Sequence, residues 1–341
     1  MAHTLMIFCF IFLIGFGFAL VLTPLVARLA RRTGAMDYPR NRHWHAHPTP
    51  KLGGVSLGGA FFVAVGASLL YPRTDPNELV RLGGLLIGGA IMLGVGVLDD
   101  HRELPALPQL AAQFSAASVA VLSGIHILEI ANPFGGVITL DAGWAILFTI
   151  FWLMGMMNTI NWIDGLDGLA GGIVAIAGAV LFIHTFQLGQ YSLALLALAL
   201  IGAVLGFLPY NFAPAKIFMS GGAPWLGFVL GGLAIIGGAK VATALLVLGI
   251  PILDVAWQIV NRVRAGRSPF AADRGHLHHL LLDLGVPARV IVFVYYAVTL
   301  CLGALALLLP SGIYKLIALI VIGAGALFFL IQLGQRVNLK K

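Results

Sequence analysis

Asn158, Asn161, Asp164 and Asp167 follow one another at steps of three between two apolar stretches of the chain. While the backbone stays helical, that step keeps Asn158, Asn161 and Asp164 on one face. The glycines that follow, from Gly165 to Gly172, let the chain turn close to a ligand. An ionisable group inside a bilayer costs ~2.5–3.5 kcal/mol at mid-span even on lenient scales, so such groups persist mainly where they function. Carboxylates and amides in this pattern suit a divalent cation and the oxygens it bridges. The competing reading is a polar hairpin between two helices, which accounts for one Asp better than for four spaced polar groups.

Four further stretches carry usable chemistry. Lys51 precedes Gly53-Gly54, a pair whose amides could approach an anion beside a compact cation. Asp99 and Asp100 repel each other unless water or a divalent ion lies beside them; a solvated helix end is the alternative. Between Pro209 and Gly222 stand Asn211, Lys216 and the aromatic Phe218, which an ordinary interfacial loop would also explain. Arg274, His276, His278 and His279 follow Arg262, Arg264 and Arg267, a mixture suited to an oligophosphate. Zinc is the rival there, without an acidic residue at metalloprotease spacing. His43, His45 and His47 read as loop residues near a lipid headgroup. Asp254 reads as a buried carboxylate paired with an arginine of the following loop, and His126 and His184 as structural. Carboxylates for a cation, cations for phosphates and an aromatic platform for a base together suit phosphoryl transfer, which depends on positioning and charge neutralisation.

The elements that must position these groups are membrane helices. With 341 residues, 60% of them hydrophobic and 10% charged, and a mean hydropathy of +1.00, the chain is no ordinary soluble domain. A spanning helix needs ~20 apolar residues. Hydropathy predicts an all-α polytopic protein of eleven spans, near 5–27, 53–71, 82–98, 109–128, 143–161, 168–187, 191–209, 223–237, 239–257, 289–309 and 312–333. The first lacks a basic leader and reads as a retained helix. An outside N-terminus and cytoplasmic C-terminus put sixteen of the twenty Lys and Arg residues on the cytoplasmic side, with Arg73, Arg81, Lys240 and Lys315 as exceptions. On that topology every candidate loop faces the cytoplasm. Residues 1–341 read as one membrane domain. Cys9 and Cys301 offer no disulfide frame, and the short basic loops give nucleic-acid binding no support.

From Pro48 to His279 these motifs, in this order, resemble the polyprenyl-phosphate N-acetylhexosamine-1-phosphate transferase family. The His276-Leu277-His278-His279 pattern is closer to the GlcNAc-1-phosphate branch, which starts O-antigen, teichoic-acid and related glycans. The resemblance implies a bacterial inner-membrane enzyme with a cytoplasmic site, Mg2+ (or Mn2+), undecaprenyl phosphate as acceptor and a UDP-N-acetylhexosamine as donor, with UMP released. It also allows a homodimer. By position, it implies that Asp99 and Asp100 serve the lipid phosphate and catalysis, while Asn161 and Asp164 join them at the metal and pyrophosphate. Asp167 and Asn211 match nucleotide-side contacts, and Phe218 an aromatic that stacks on uracil. Lys51, Asn158, Arg274 and the three histidines match substrate-binding positions.

One departure stands out. After Phe218-Met219 the family usually carries Gly-Asp-x-Gly-Ser, whose Asp binds the metal; this chain has Ser220-Gly221-Gly222-Ala223-Pro224. Two outcomes stay open at this point. Either the remaining carboxylates hold the ion with more water, or the chain is a non-catalytic homologue that binds lipid phosphate or nucleotide sugar. A transporter fits less well, because transporter sites lie near mid-bilayer.

Overall fold

The computed structural model describes residues 2–39, 47–73, 75–132, 134–238, 241–268, 275–309 and 312–338. Among them run α1 (Ala2–Thr33), α2 (Gly53–Ser68), α3 (Glu78–Arg102), α4 (Ala106–Leu122), α5 (Ala142–Ile163), α6 (Leu169–Gln187), α7 (Tyr191–Asn211), α8 (Gly222–Ile236), α9 (Val241–Val247), α10 (Gly249–Arg264), α11 (Leu277–Asp283), α12 (Ala288–Leu308) and α13 (Gly312–Asn338). Two short antiparallel hairpins complete the fold: β1 (Met36–Asp37) with β2 (Thr49–Pro50), and β3 (Glu129–Ala131) with β4 (Val137–Thr139). The described residues are thus predominantly helical, with almost no sheet. Among the described residues seven helices (α1, α3, α5, α6, α7, α12 and α13) are long and apolar enough to cross a membrane, and α2, α4 and α8 are shorter apolar helices.

The predicted span 239–257 is divided. Pro251 has no amide hydrogen and its ring crowds the carbonyl four residues earlier, so a continuous helix through Val247 is disfavoured. The chain breaks between α9 and α10 at Leu248, and α10 then continues past the predicted boundary to Arg264. Pro24, inside α1, creates the same deficit at the carbonyl of Leu20. There the Tyr210 hydroxyl donates to Leu20 O at 3.0 Å, replacing the missing amide.

α7 is the centre of the bundle: 72% of its apolar window is buried inside the protein, against 6% for α13. α1 lies along α7 at backbone contact, since a Cβ on Gly202 would meet Phe12 O at 2.5 Å and one on Gly206 would meet Phe16 O at 2.2 Å. Small residues permit such close crossings where lipid supplies no hydrophobic drive between helices. At one end of the bundle, Glu78 pairs with Arg73, which also donates to Ser68, and Ser192 donates to Glu78. Asp75 pairs with Arg81. Two of the basic residues that break the charge asymmetry are therefore neutralised by neighbouring acids. The opposite end carries the candidate site.

Candidate active site

Asp100, in the last turn of α3, ties three segments together. Its Oδ2 accepts from the Leu52 amide at 3.0 Å, and its Oδ1 from the Gly221 amide at 3.1 Å and from the Ser220 hydroxyl. Leu52 (φ 72°) and Ser220 (φ 49°) both occupy the left-handed region, a costly conformation that surrounding structure must enforce. The same loops are laced by backbone bonds from Gly53 to Phe218 O, Gly54 to Met219 O and Phe218 to Pro50 O. Gly221 touches the backbone of Gly96; a Cβ there would stand 2.4 Å from Gly96 O. In this backbone, position 221 has no room for a carboxylate.

Beside this knot lies a cavity of roughly 430 Å3 lined by Asp37, Lys51, Asp164, Asp167, Asn211, Phe218, Ser220, His279 and Arg289, among others. Asp164 caps the end of α5, where the helix gives way to the glycine turn. It is partly exposed, yet protein crowds it enough that desolvation pushes its carboxyl well above the usual range; Asp167 and Asp100 push the same way, and the Ser220 amide opposes them. Asp167 accepts from the Ala215 amide at 2.9 Å. Asn211 works on the protein itself, accepting from the Gly168 amide at 3.2 Å and donating to Ile217 O at 3.1 Å. It thereby clasps the start of α6 to the loop that carries Phe218.

Not every sequence candidate reaches the cavity wall. Asp99 accepts from the Leu104 amide at 2.7 Å and from Gln109 at 3.0 Å, closing the end of α3. Asn158 donates to Gln113 of α4 at 2.7 Å and to Met154 O, one turn back along α5, at 2.8 Å. Asn161 is partly buried and is not among the lining residues. Of the three imidazoles, only His279 lines the cavity. His278 is fully buried, and both its ring nitrogens lack hydrogen-bond partners; burial first, then His279 and His276, holds it well below the ordinary histidine value. His276 is also buried and lies 3.0 Å from Asp254. Among the described residues, then, the ionisable partner of Asp254 is an imidazole, where the sequence had pointed to an arginine of the following loop. Arg274, His43 and His45 lie outside the described residues.

Desolvated Asp164, with Asp167 and Asp100 close enough to repel it, offers hard oxygen donors in a setting that a cation would relieve. Those donors fit magnesium, which takes one or two carboxylates and completes its shell with water and substrate oxygens. Among the described residues no three His, Cys, Asp or Glu side chains form a ready-made cage, so such an ion would depend on substrate.

Residues 82–238 match the family model described as "Glycosyl transferase family 4". Over 92% of this chain and 86% of theirs, 36% of residues are identical to "Decaprenyl-phosphate N-acetylglucosaminephosphotransferase" of Mycobacterium tuberculosis. The chain is 32% identical to the Bacillus subtilis "Probable undecaprenyl-phosphate N-acetylglucosaminyl 1-phosphate transferase", over 88% of this chain and 84% of that one. It is 33% identical to "Undecaprenyl-phosphate alpha-N-acetylglucosaminyl 1-phosphate transferase" of Haemophilus influenzae, over 79% and 78%. This chain belongs to glycosyl transferase family 4. At position 221 it carries Gly, where the resemblance leads one to expect Asp.

Three polar lining residues were not proposed as site residues from the sequence. Asp37 follows the basic end of α1 on the short strand β1. Ser220 stands where the family pattern has Gly, and its left-handed φ explains that preference. Arg289 sits in the first turn of α12 and donates to Ala213 O at 2.9 Å. A cation there opposes the helix dipole, a signal that it answers to something outside its own helix.

Proposed function

We propose that this chain transfers N-acetylglucosamine 1-phosphate from UDP-GlcNAc to undecaprenyl phosphate or a similar polyprenyl phosphate, releasing UMP. The observation that carries the reading is the convergence of Lys51, Asp164, Asp167, Phe218 and His279 on one cavity, although they come from positions more than two hundred residues apart. The names of the relatives supply the reaction class.

In this reading an oxygen of the lipid phosphate attacks the sugar-linked phosphorus, and the bond from that phosphorus to the UMP oxygen breaks. Lipid phosphate is largely ionised at neutral pH, so proton removal from the nucleophile is not obligatory. Lys51 and His279 offset charge on the phosphates, and Phe218 offers a face to the base. Asn211 and Asp167 hold the loop that presents Phe218. Asp100 fixes Leu52, Ser220 and Gly221, and through them the wall beside Lys51. Magnesium, held by Asp164 with Asp100 behind it, would supply charge neutralisation on the pyrophosphate. The cavity faces the cytoplasm of a bacterial inner membrane, with the N-terminus outside; α2, α4 and α8 join the seven long helices as crossings, and α9 with α10 forms a broken eleventh.

A binding-only homologue is the second reading, motivated by Gly221. Purified protein supplied with undecaprenyl phosphate, UDP-GlcNAc and Mg2+ should release UMP. Absence of turnover with every UDP-N-acetylhexosamine, together with retained nucleotide-sugar binding, would select the second reading.

A further inference from the structure

α10 carries Asp254, Gln258 and Arg262 at steps of four, so the three side chains share one helix face, and all three are buried. Each engages the short segment before α11. Gln258 donates to Gly275 O. Asp254 accepts from His276 Nδ1 at 3.0 Å and from the Leu277 amide at 2.9 Å. Arg262 Nη2 lies 3.3 Å from His276 Nε2, and its guanidinium stacks 5.0 Å over the Trp162 ring. A guanidinium only donates, so Nε2 accepts and Nδ1 carries the hydrogen that Asp254 receives. Both nitrogens of His276 are thus consumed inside the protein. The Leu277 amide, otherwise one of the orphans at a helix start, is satisfied by a carboxylate from another helix. Three residues on, His279 faces the cavity.

We propose that Asp254, Gln258, Arg262 and His276 form a buried clamp of positioning residues that sets α11 so that His279 stands at the phosphates. His276 acts through the clamp and touches no substrate. This inference rests on the transferase reading of the cavity. A polar chain of this kind holds one arrangement only when every member is satisfied, and groups that orient a ligand-binding side chain typically matter 10–100-fold.

The test is Asp254→Asn, which keeps the shape but replaces one acceptor by a donor facing a donor. UMP-release kcat/KM should fall about 10–100-fold. The double variant Asp254→Asn/His279→Ala should lose no more than the worse single variant, because both remove the same contribution. Arg262→Lys, which keeps the charge but not the stacked fork, should show the same non-additivity. Losses that multiply, or an Asp254→Asn enzyme within about twofold of the parent, would overturn the clamp, with twofold well below the usual orienting effect. A second readout needs no turnover. Amide hydrogen exchange across 277–283 should accelerate about tenfold or more in Asp254→Asn, as expected for losing a charge-assisted hydrogen bond; unchanged exchange refutes the clamp. A parent protein that never releases UMP, yet shows the accelerated exchange in the variant, would refute the transferase reading and leave the clamp standing.

Discussion

The two ends of the helix bundle treat charge in opposite ways. At one end Arg73 meets Glu78 and two serines, and Arg81 meets Asp75. Each of these four charges has its opposite within the same short stretch of chain. At the other end Asp167 and Asp100 both repel Asp164, and Leu52 and Ser220 are held in the left-handed region. The second end leaves the Asp164 carboxyl crowded by two others, a setting that a bound cation would relieve.

The contrast breaks most decisively at Asp164. Asp164→Asn should reduce UMP release on the order of 10³-fold or more, the scale of losing a charge-organising group at a reacting centre. Its thermal stability should hold or rise, since one repelling charge is gone; a fully active variant would remove Asp164 from the chemistry. The opposite outcome is expected at the ion-paired end. Glu78→Gln leaves Arg73 buried without its counter-charge and should cost about 3 kcal/mol of stability, read from unfolding, while kcat/KM of the folded fraction stays at the parent level. A loss of specific activity there would mean that the ends are coupled.

Gly221→Ala sharpens the comparison within the site. Its Cβ meets the Gly96 carbonyl, so overpacking should cost about 1–3 kcal/mol and loosen the Gly221 amide from Asp100. Gly221→Asp should therefore fail to raise magnesium affinity, measured by titration calorimetry. The smallest effect concerns His278. Burial lowers its value well below 6.5, so the unfolded chain binds a proton that the folded chain refuses. That contribution is fully present above 6.5 and is lost as pH falls below it toward the folded value, by up to about 1.4 kcal/mol per pH unit. Replacing His278 with Leu should flatten the acid side of the stability profile; an unchanged slope would show that another group sets it.

Much of the site was legible because a membrane chain can spare few polar residues. Lys51, Asp164, Asp167, Asn211 and His279 each stand out against an apolar background, and the structure brings all five, with Phe218, to the wall of one cavity. Asp254, Gln258 and Arg262 also carried a signal, their four-residue spacing, but nothing in that spacing named His276 as the partner. Asp37 and Arg289 were hidden because single charges beside helix ends are common at membrane boundaries.

Composition and periodicity alone determined that the chain is a bundle of apolar helices with its chemistry in the connecting loops, since hydrocarbon tolerates neither free backbone groups nor unpaired charge. Which loops meet was a tertiary decision. The division of labour among His276, His278 and His279, the tethering of Asp100 and Asp99 to different partners, and the absence of space at Gly221 follow from helix crossings between segments distant in sequence. Hydrogen-bond direction and backbone contact are properties of those crossings, and residue types along one strand of sequence do not encode them singly.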